Sequence, residues 1–157
     1  MNNDRLAKEI RFDLDALRQT AELAAQLLQH ARQEQEPWLA AAAAKYIADV
    51  FMGVENLWKR RCRRLGQSVP DGPTSHYETL LAFLSDPELG GRLPPDMEGR
   101  LGNYLRFRHR FVHGYGVGVT WAMVEEPLRL IPDTVTQLCR VWEPWLARQE
   151  GAPGDRQ

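Results

Sequence analysis

Apolar residues along this chain recur at helical spacing, and the interruptions fall where a bundle would turn. Leu6, Ile10, Leu14, Leu17, Ala21, Ala24 and Leu28 follow one another at steps of three and four, which marks one face of a first helix within residues 1 to 35. Glu34 to Pro37 interrupts that pattern. Pro37 suits the first turn of a second helix, where its missing N–H has no helical partner to lose. The second helix is long, Trp38 to about Leu65, with Leu39, Ala43, Tyr46, Ile47, Val50, Val54, Leu57 and Trp58 as its apolar stripe and Gly66 as the residue that stops it. Thr74-Ser75 offers an N-cap to a short third helix that carries Tyr77, Leu80, Leu81 and Leu84 and ends before Pro87. A loop rich in Gly and Pro, 86 to 95, leads into a fourth helix from Pro95-Asp96, with Met97, Leu101, Tyr104, Leu105, Phe107 and Phe111. GYGVGVTW from Gly114 reads as a turn or short extended link. A fifth helical stretch covers Trp121 to about Arg148, where Pro127, Pro132 and Pro144 are expected to break or kink it.

No internal repeat and no alternating strand pattern occurs. Short loops between amphipathic helices predict an all-α antiparallel bundle of about five helices without a sheet. Its domain spans 1 to 149, and EGAPGDRQ, 150 to 157, is expected to be a disordered tail. A chain of 157 residues can bury a core without a disulfide or metal. At 43% hydrophobic and 26% charged residues, disordered and low-complexity classes are excluded. Apolar runs such as Leu39 to Ala44 fall far short of the roughly 20 residues of a membrane span. The start, MNNDRLAKEIRFDLD, has no apolar core and reads as a cytoplasmic protein without a signal peptide. Cys62 and Cys139 lack CxxC spacing and are expected as free, partly buried thiols in a reducing compartment.

Charge is nearly balanced, 20 Lys plus Arg against 21 Asp plus Glu, but it is not evenly spread. Residues 59 to 64 read KRRCRR, and residues 100 to 110 carry Arg100, Arg106, Arg108 and Arg110 with no acid among them. Two such clusters predict one cationic face. LRFRHRFVHGYG, 105 to 116, then gathers two histidines, three arginines and a tyrosine near a helix end.

A histidine can move a proton at neutral pH, and an arginine beside it offers a planar fork for phosphate oxygens. Together these suit cleavage of RNA by its own 2′-OH, with no metal and no other cofactor. His113 lies five residues after Arg108, about 140° around a helix. The two converge if the helix ends near Val112, or if two copies meet. Histidines 109 and 113 have the spacing of metal ligands, but no HExxH glutamate lies between them and three arginines would repel a cation. Glu55, spaced from Phe51 and Trp58, falls on the inner side of the second helix, where a charge needs a partner. Its candidates are Arg108, a motif histidine, or Lys59 at i+4. Trp38, Trp58, Trp121, Trp142 and Trp145 read as core and interface.

The segment resembles the HEPN superfamily of all-helical ribonucleases, whose mark is Arg, four to six residues, then His. Arg108, four residues and His113, extended by Tyr115, are similar to the R-x4-H-x-Y form of HepT toxins. YIADVFMGVENLWKR (46–60), SHYETLL (75–81) and LRFRHRFVHGYGVGVTW (105–121) resemble the second, third and motif helices of that branch, over about residues 38 to 146. The resemblance implies a toxin that cleaves RNA and acts as a homodimer with both motifs in one cleft. It also implies a cognate minimal nucleotidyltransferase antitoxin that adenylylates Tyr115. In this picture Arg108 and His113 are catalytic, with Glu55 and His109 supporting. Arg106, Arg110, Lys59, Arg60 and Arg63 carry the RNA backbone. One position departs from the pattern: many HepT sequences have Asn after the motif arginine, and here it is His109. The competing reading is a bundle that has lost cleavage and binds RNA, nucleotide or a helical partner.

Overall fold

The computed structural model describes residues 3–31, 37–114 and 118–151. Five α-helices follow in order: α1 (Asn3–Ala31), α2 (Pro37–Arg64), α3 (Ser75–Ser85), α4 (Met97–Gly114) and α5 (Trp121–Gly151). A single 3₁₀ turn, Gly90–Arg92, sits in the loop before α4, and no strand occurs among the described residues. The all-α bundle is therefore as expected. α2 is its hub and touches each of the other four helices, while α1 packs on α2 and α5.

The helical stripes explain the packing. Leu6, Ile10, Leu14, Leu17 and Ala24 of α1 are buried, as are Leu39, Ala43, Ile47, Val50, Val54, Leu57 and Trp58 of α2. Gly53 lets α1 and α2 approach closely, since a Cβ there would lie 2.5 Å from Leu17. At the far end of the core, Phe83 of α3 stacks on Trp142 with ring centroids 6.1 Å apart. Trp58 and Trp145 meet this pair edge-on. The expected stop of α2 is present in full: Gly66 takes φ +64°, its N–H donates to Arg63 O, and Gln67 N–H donates to Cys62 O at 2.9 Å. That double bond is a Schellman cap, in which glycine accepts the left-handed backbone at no steric cost.

Four expectations change. α5 is one uninterrupted helix despite Pro127, Pro132 and Pro144, and it continues through Gly151, two residues into the stretch expected as tail. An interior proline costs roughly 3 kcal/mol. Along α5, however, Val124, Leu128, Ile131, Val135, Leu138, Trp142, Trp145 and Leu146 are all buried, at about 1.5–3 kcal/mol for each large side chain. Packing outweighs propensity. The inner face of α3 is Thr79, Leu80 and Phe83, whereas Tyr77 and Leu81 are exposed and Leu84 is half-buried. Of the tryptophans read as core and interface, Trp58, Trp142 and Trp145 are core and Trp38 is exposed. α4 continues through Gly114, so of the two ways for Arg108 and His113 to converge, a helix end near Val112 does not occur. Cys62 and Cys139 are free and buried, and desolvation raises both thiol pKa values above the ordinary cysteine range. No described helix is long and apolar enough to cross a membrane.

Tyr104 ties α4 to α5. Its hydroxyl donates to Pro127 O at 3.1 Å and lies 3.2 Å from Thr134 Oγ1. Burial pushes its pKa above the usual tyrosine value, against the opposing pull of the Thr134 hydrogen bond and Arg100. The folded state thus favours the protonated phenol. That contribution is fully present below about pH 10 and is lost as pH rises through the folded value. Unfolding free energies measured from pH 8 to 11 should fall by up to about 1.4 kcal/mol per pH unit above 10. The limb should flatten in Tyr104→Phe; an unchanged alkaline limb in that variant would rule Tyr104 out as its source.

Candidate functional site

Two inward stripes carry a charge each, and they face one another. On α4 the buried residues Met97, Leu101 and Tyr104 lead by the same spacing to Arg108. On α2 the buried stripe of Phe51, Trp58 and Cys62 includes Glu55, itself only 2% exposed. Glu55 Oε2 lies 3.8 Å from Arg108 Nε, an ion pair beyond hydrogen-bond distance. Arg108 Nε is buried and has no hydrogen-bond acceptor within reach among the described residues. Glu55 Oε1 meets His76 Nδ1 of α3 in a hydrogen bond, and Lys59 Nζ stands 3.9 Å from the same oxygen. One buried carboxylate therefore anchors side chains from three helices. A carboxylate so placed needs counter-charge and donors, and these residues supply both.

Of the expected partners of Glu55, Arg108 and Lys59 are both present. His76 was not foreseen. A signal existed: once Leu80 and Phe83 define the inner face of α3, His76 lies on it at i−4 and i−7. Choosing the face by apolar type alone selects Tyr77 and Leu81 and turns His76 outward.

The remaining candidates scatter. Arg106 and Arg110 are exposed on α4, as is His109, and Arg106 reaches Asn103 Oδ1 at 3.4 Å. KRRCRR is not one cationic face. Arg60 binds Asp13 and, at 2.7 Å, Glu9 of α1. The hydrogen bond to Asp13 raises its pKa and holds it as a bridge between α1 and α2. Arg61 points into the core, where it pairs with Asp86 at 2.6 Å and lies over the Trp58 ring at 4.8 Å. Lys59 faces Glu55, and Arg63 is exposed. The helical period sends successive cations in different directions. His113 falls within α4; its side chain, like Tyr115, lies outside the described residues. No three described His, Cys, Asp or Glu side chains converge as metal ligands would.

A helical bundle whose hub helix presents a buried acid to an arginine–histidine motif helix defines the class. Residues 42–145, well over half of the chain, match the family model of HepT-like proteins, and the chain belongs to that family. α1 precedes the matched residues. No curated protein and no solved structure matches this chain.

Proposed function

We propose that this HepT-like chain is a ribonuclease toxin that cuts RNA through attack of the 2′-OH on the adjacent phosphorus, without a metal. The observation that supports it most is Arg108. A charged residue on the inward stripe of α4 is held by a buried carboxylate, and it stands five residues before His113 on the same helix. In this reading its guanidinium holds non-bridging phosphate oxygens as negative charge grows in the transition state. His113 supplies proton transfer at neutral pH. Exposed Arg106 and Arg110, one turn apart on the outer face of α4, offer the phosphate backbone a contact separate from Arg108. Because α4 runs through Gly114, positions 108 and 113 stay about 140° apart on one helix, which favours a cleft completed by a second copy. In that homodimer a nucleotidyltransferase antitoxin would silence the cytoplasmic enzyme by adenylylating Tyr115, adding bulk and negative charge beside the arginines.

The test is cleavage of tRNA and total RNA by the purified protein in excess EDTA, beside Arg108→Ala and His113→Ala variants of unchanged thermal stability. Wild-type cleavage with at least a roughly 100-fold loss in each variant is expected. Intact RNA with wild type, while RNA binding is retained, would instead establish a bundle that binds without cutting.

A further inference from the structure

Cleavage by a 2′-OH needs two proton transfers, one from the attacking oxygen and one to the leaving oxygen, and the proposed function assigns one of them, to His113. We propose that His76, held by Glu55 beside Arg108, is the second proton-transfer residue of this site and takes the 2′-OH proton; this rests on the ribonuclease reading above.

The placement is that of an oriented base. A carboxylate oxygen accepts, so a neutral His76 that donates from Nδ1 to Glu55 keeps its lone pair on Nε2. The carboxylate is buried, while the His76 side chain is 34% exposed, so one edge of the ring is anchored and the residue is still reached from solvent. A carboxylate behind an imidazole fixes its tautomer and stabilises the imidazolium once the proton arrives. The opposite oxygen of the same carboxylate faces Arg108. Base and phosphate-holding group thus share one anchor on the hub helix, which sets their relative position without help from a loop. The charged groups that meet on the Glu55 carboxylate, which His76 also contacts, are Lys59 from α2 and Arg108 from α4.

The step balances. His76 Nε2 removes the 2′-OH proton while O2′ bonds to the adjacent phosphorus and the bond from phosphorus to O5′ breaks. Protonated His113 gives its proton to O5′. The products are a 2′,3′-cyclic phosphate and a 5′-hydroxyl end, and the two histidines return to their starting states by proton exchange with water. Nothing is oxidised or reduced.

The experiment uses the full chain on an oligoribonucleotide in EDTA, with His76→Gln and Glu55→Gln checked for unchanged melting. A second substrate carries sulfur in place of O5′, a leaving group that needs no proton. His76→Gln should lower kcat by about 100-fold or more on both substrates at unchanged KM, and the acid limb of its pH–rate profile should disappear. His113→Ala should be slow on the ordinary strand and recover on the sulfur strand. Glu55→Gln should retain part of the activity with a displaced acid limb. Folded His76→Gln within threefold of wild type would leave His76 as a counter-charge for Glu55 and overturn the assignment; so would recovery of His76→Gln on the sulfur strand. A wild type that cuts neither strand would remove the ribonuclease reading itself. Should His76→Gln fail to fold, carbethoxylation of wild type decides. Modification at His76 must track loss of activity and be blocked by a 2′-deoxy strand, and unprotected labelling overturns the proposal.

Discussion

Replacing Arg61 by alanine should cost about 3–5 kcal/mol, the range for breaking a buried ion pair from one side. Its side chain is almost wholly buried at the C-terminal end of α2, where it donates to Asp86 at 2.6 Å and to Gln67 Oε1 at 3.3 Å. The guanidinium also lies over Trp58 and, at 5.9 Å, Trp145. Truncation removes the two ring contacts, opens a cavity between three helices and leaves the largely buried Asp86 carboxylate without its cation. Asp86 keeps its bonds from the Glu88 and Leu89 N–H groups, so the loop it caps need not unravel. For a domain of this length the loss corresponds to a fall of roughly 6–20 °C in melting temperature. Arg61→Met combined with Asp86→Asn should cost clearly less than Arg61→Ala, because no unpaired charge remains inside. Urea denaturation of the three proteins reads the difference. A loss of under about 1 kcal/mol in Arg61→Ala would mean that Asp86 is solvated when its partner leaves.

The second large effect is expected at Gly90, and it is steric. The 3₁₀ turn lies so close to the end of α3 that a Cβ on Gly90 would sit 2.1 Å from the Phe83 carbonyl oxygen and 2.5 Å from Leu84 Cα. Both atoms are backbone, so no side chain can swing aside. The turn is fixed from the other side as well: Gly91 N–H donates to Asp86 O at 2.7 Å and Leu93 N–H to Gly90 O at 3.1 Å. Gly90→Ala must therefore push the turn off α3 and disturb Phe83, which stacks on Trp142. A destabilisation of about 3 kcal/mol is expected, the upper end for overpacking. Gly99, with nothing within 4 Å of its added Cβ and a place inside α4, provides the contrast. Gly99→Ala should stabilise by about 0.5–1 kcal/mol through backbone entropy. Equal melting temperatures for the two alanine variants would show that the turn moves away freely.

Much of this was legible in the sequence where the physics is local. Stripes at steps of three and four identified the buried faces of α1, α2 and α4, and Gly66 marked the cap of α2, because these depend on neighbours within one turn. Glu55 was readable as a charge on an inward face. Its partner on α3 was not, since the meeting of His76 with Glu55 depends on how two helices cross rather than on spacing in either. Tyr77 and Leu81 misled for a related reason: a short helix on the flank of a bundle leaves apolar side chains outside, and residue type alone does not say which. The prolines of α5 misled because propensity is a small quantity beside the burial of that helix along its length. KRRCRR looked like one surface because charge was counted along the chain, whereas the helix distributes it around an axis.

The pairing of α1 with α5 also has a consequence in time. Arg11 and Arg18 of α1 reach Glu150 and Glu143 of α5, across 139 and 125 residues of sequence. On a ribosome adding about 5–20 residues per second, α1 waits some 5–25 s before α5 has been made. α2 can cover part of its apolar stripe in that interval, but the side of α1 that packs on α5 completes its burial only with the final helix. The nascent chain therefore carries an open hydrophobic seam for most of its synthesis, and the step that closes it joins the two most distant helices of the fold.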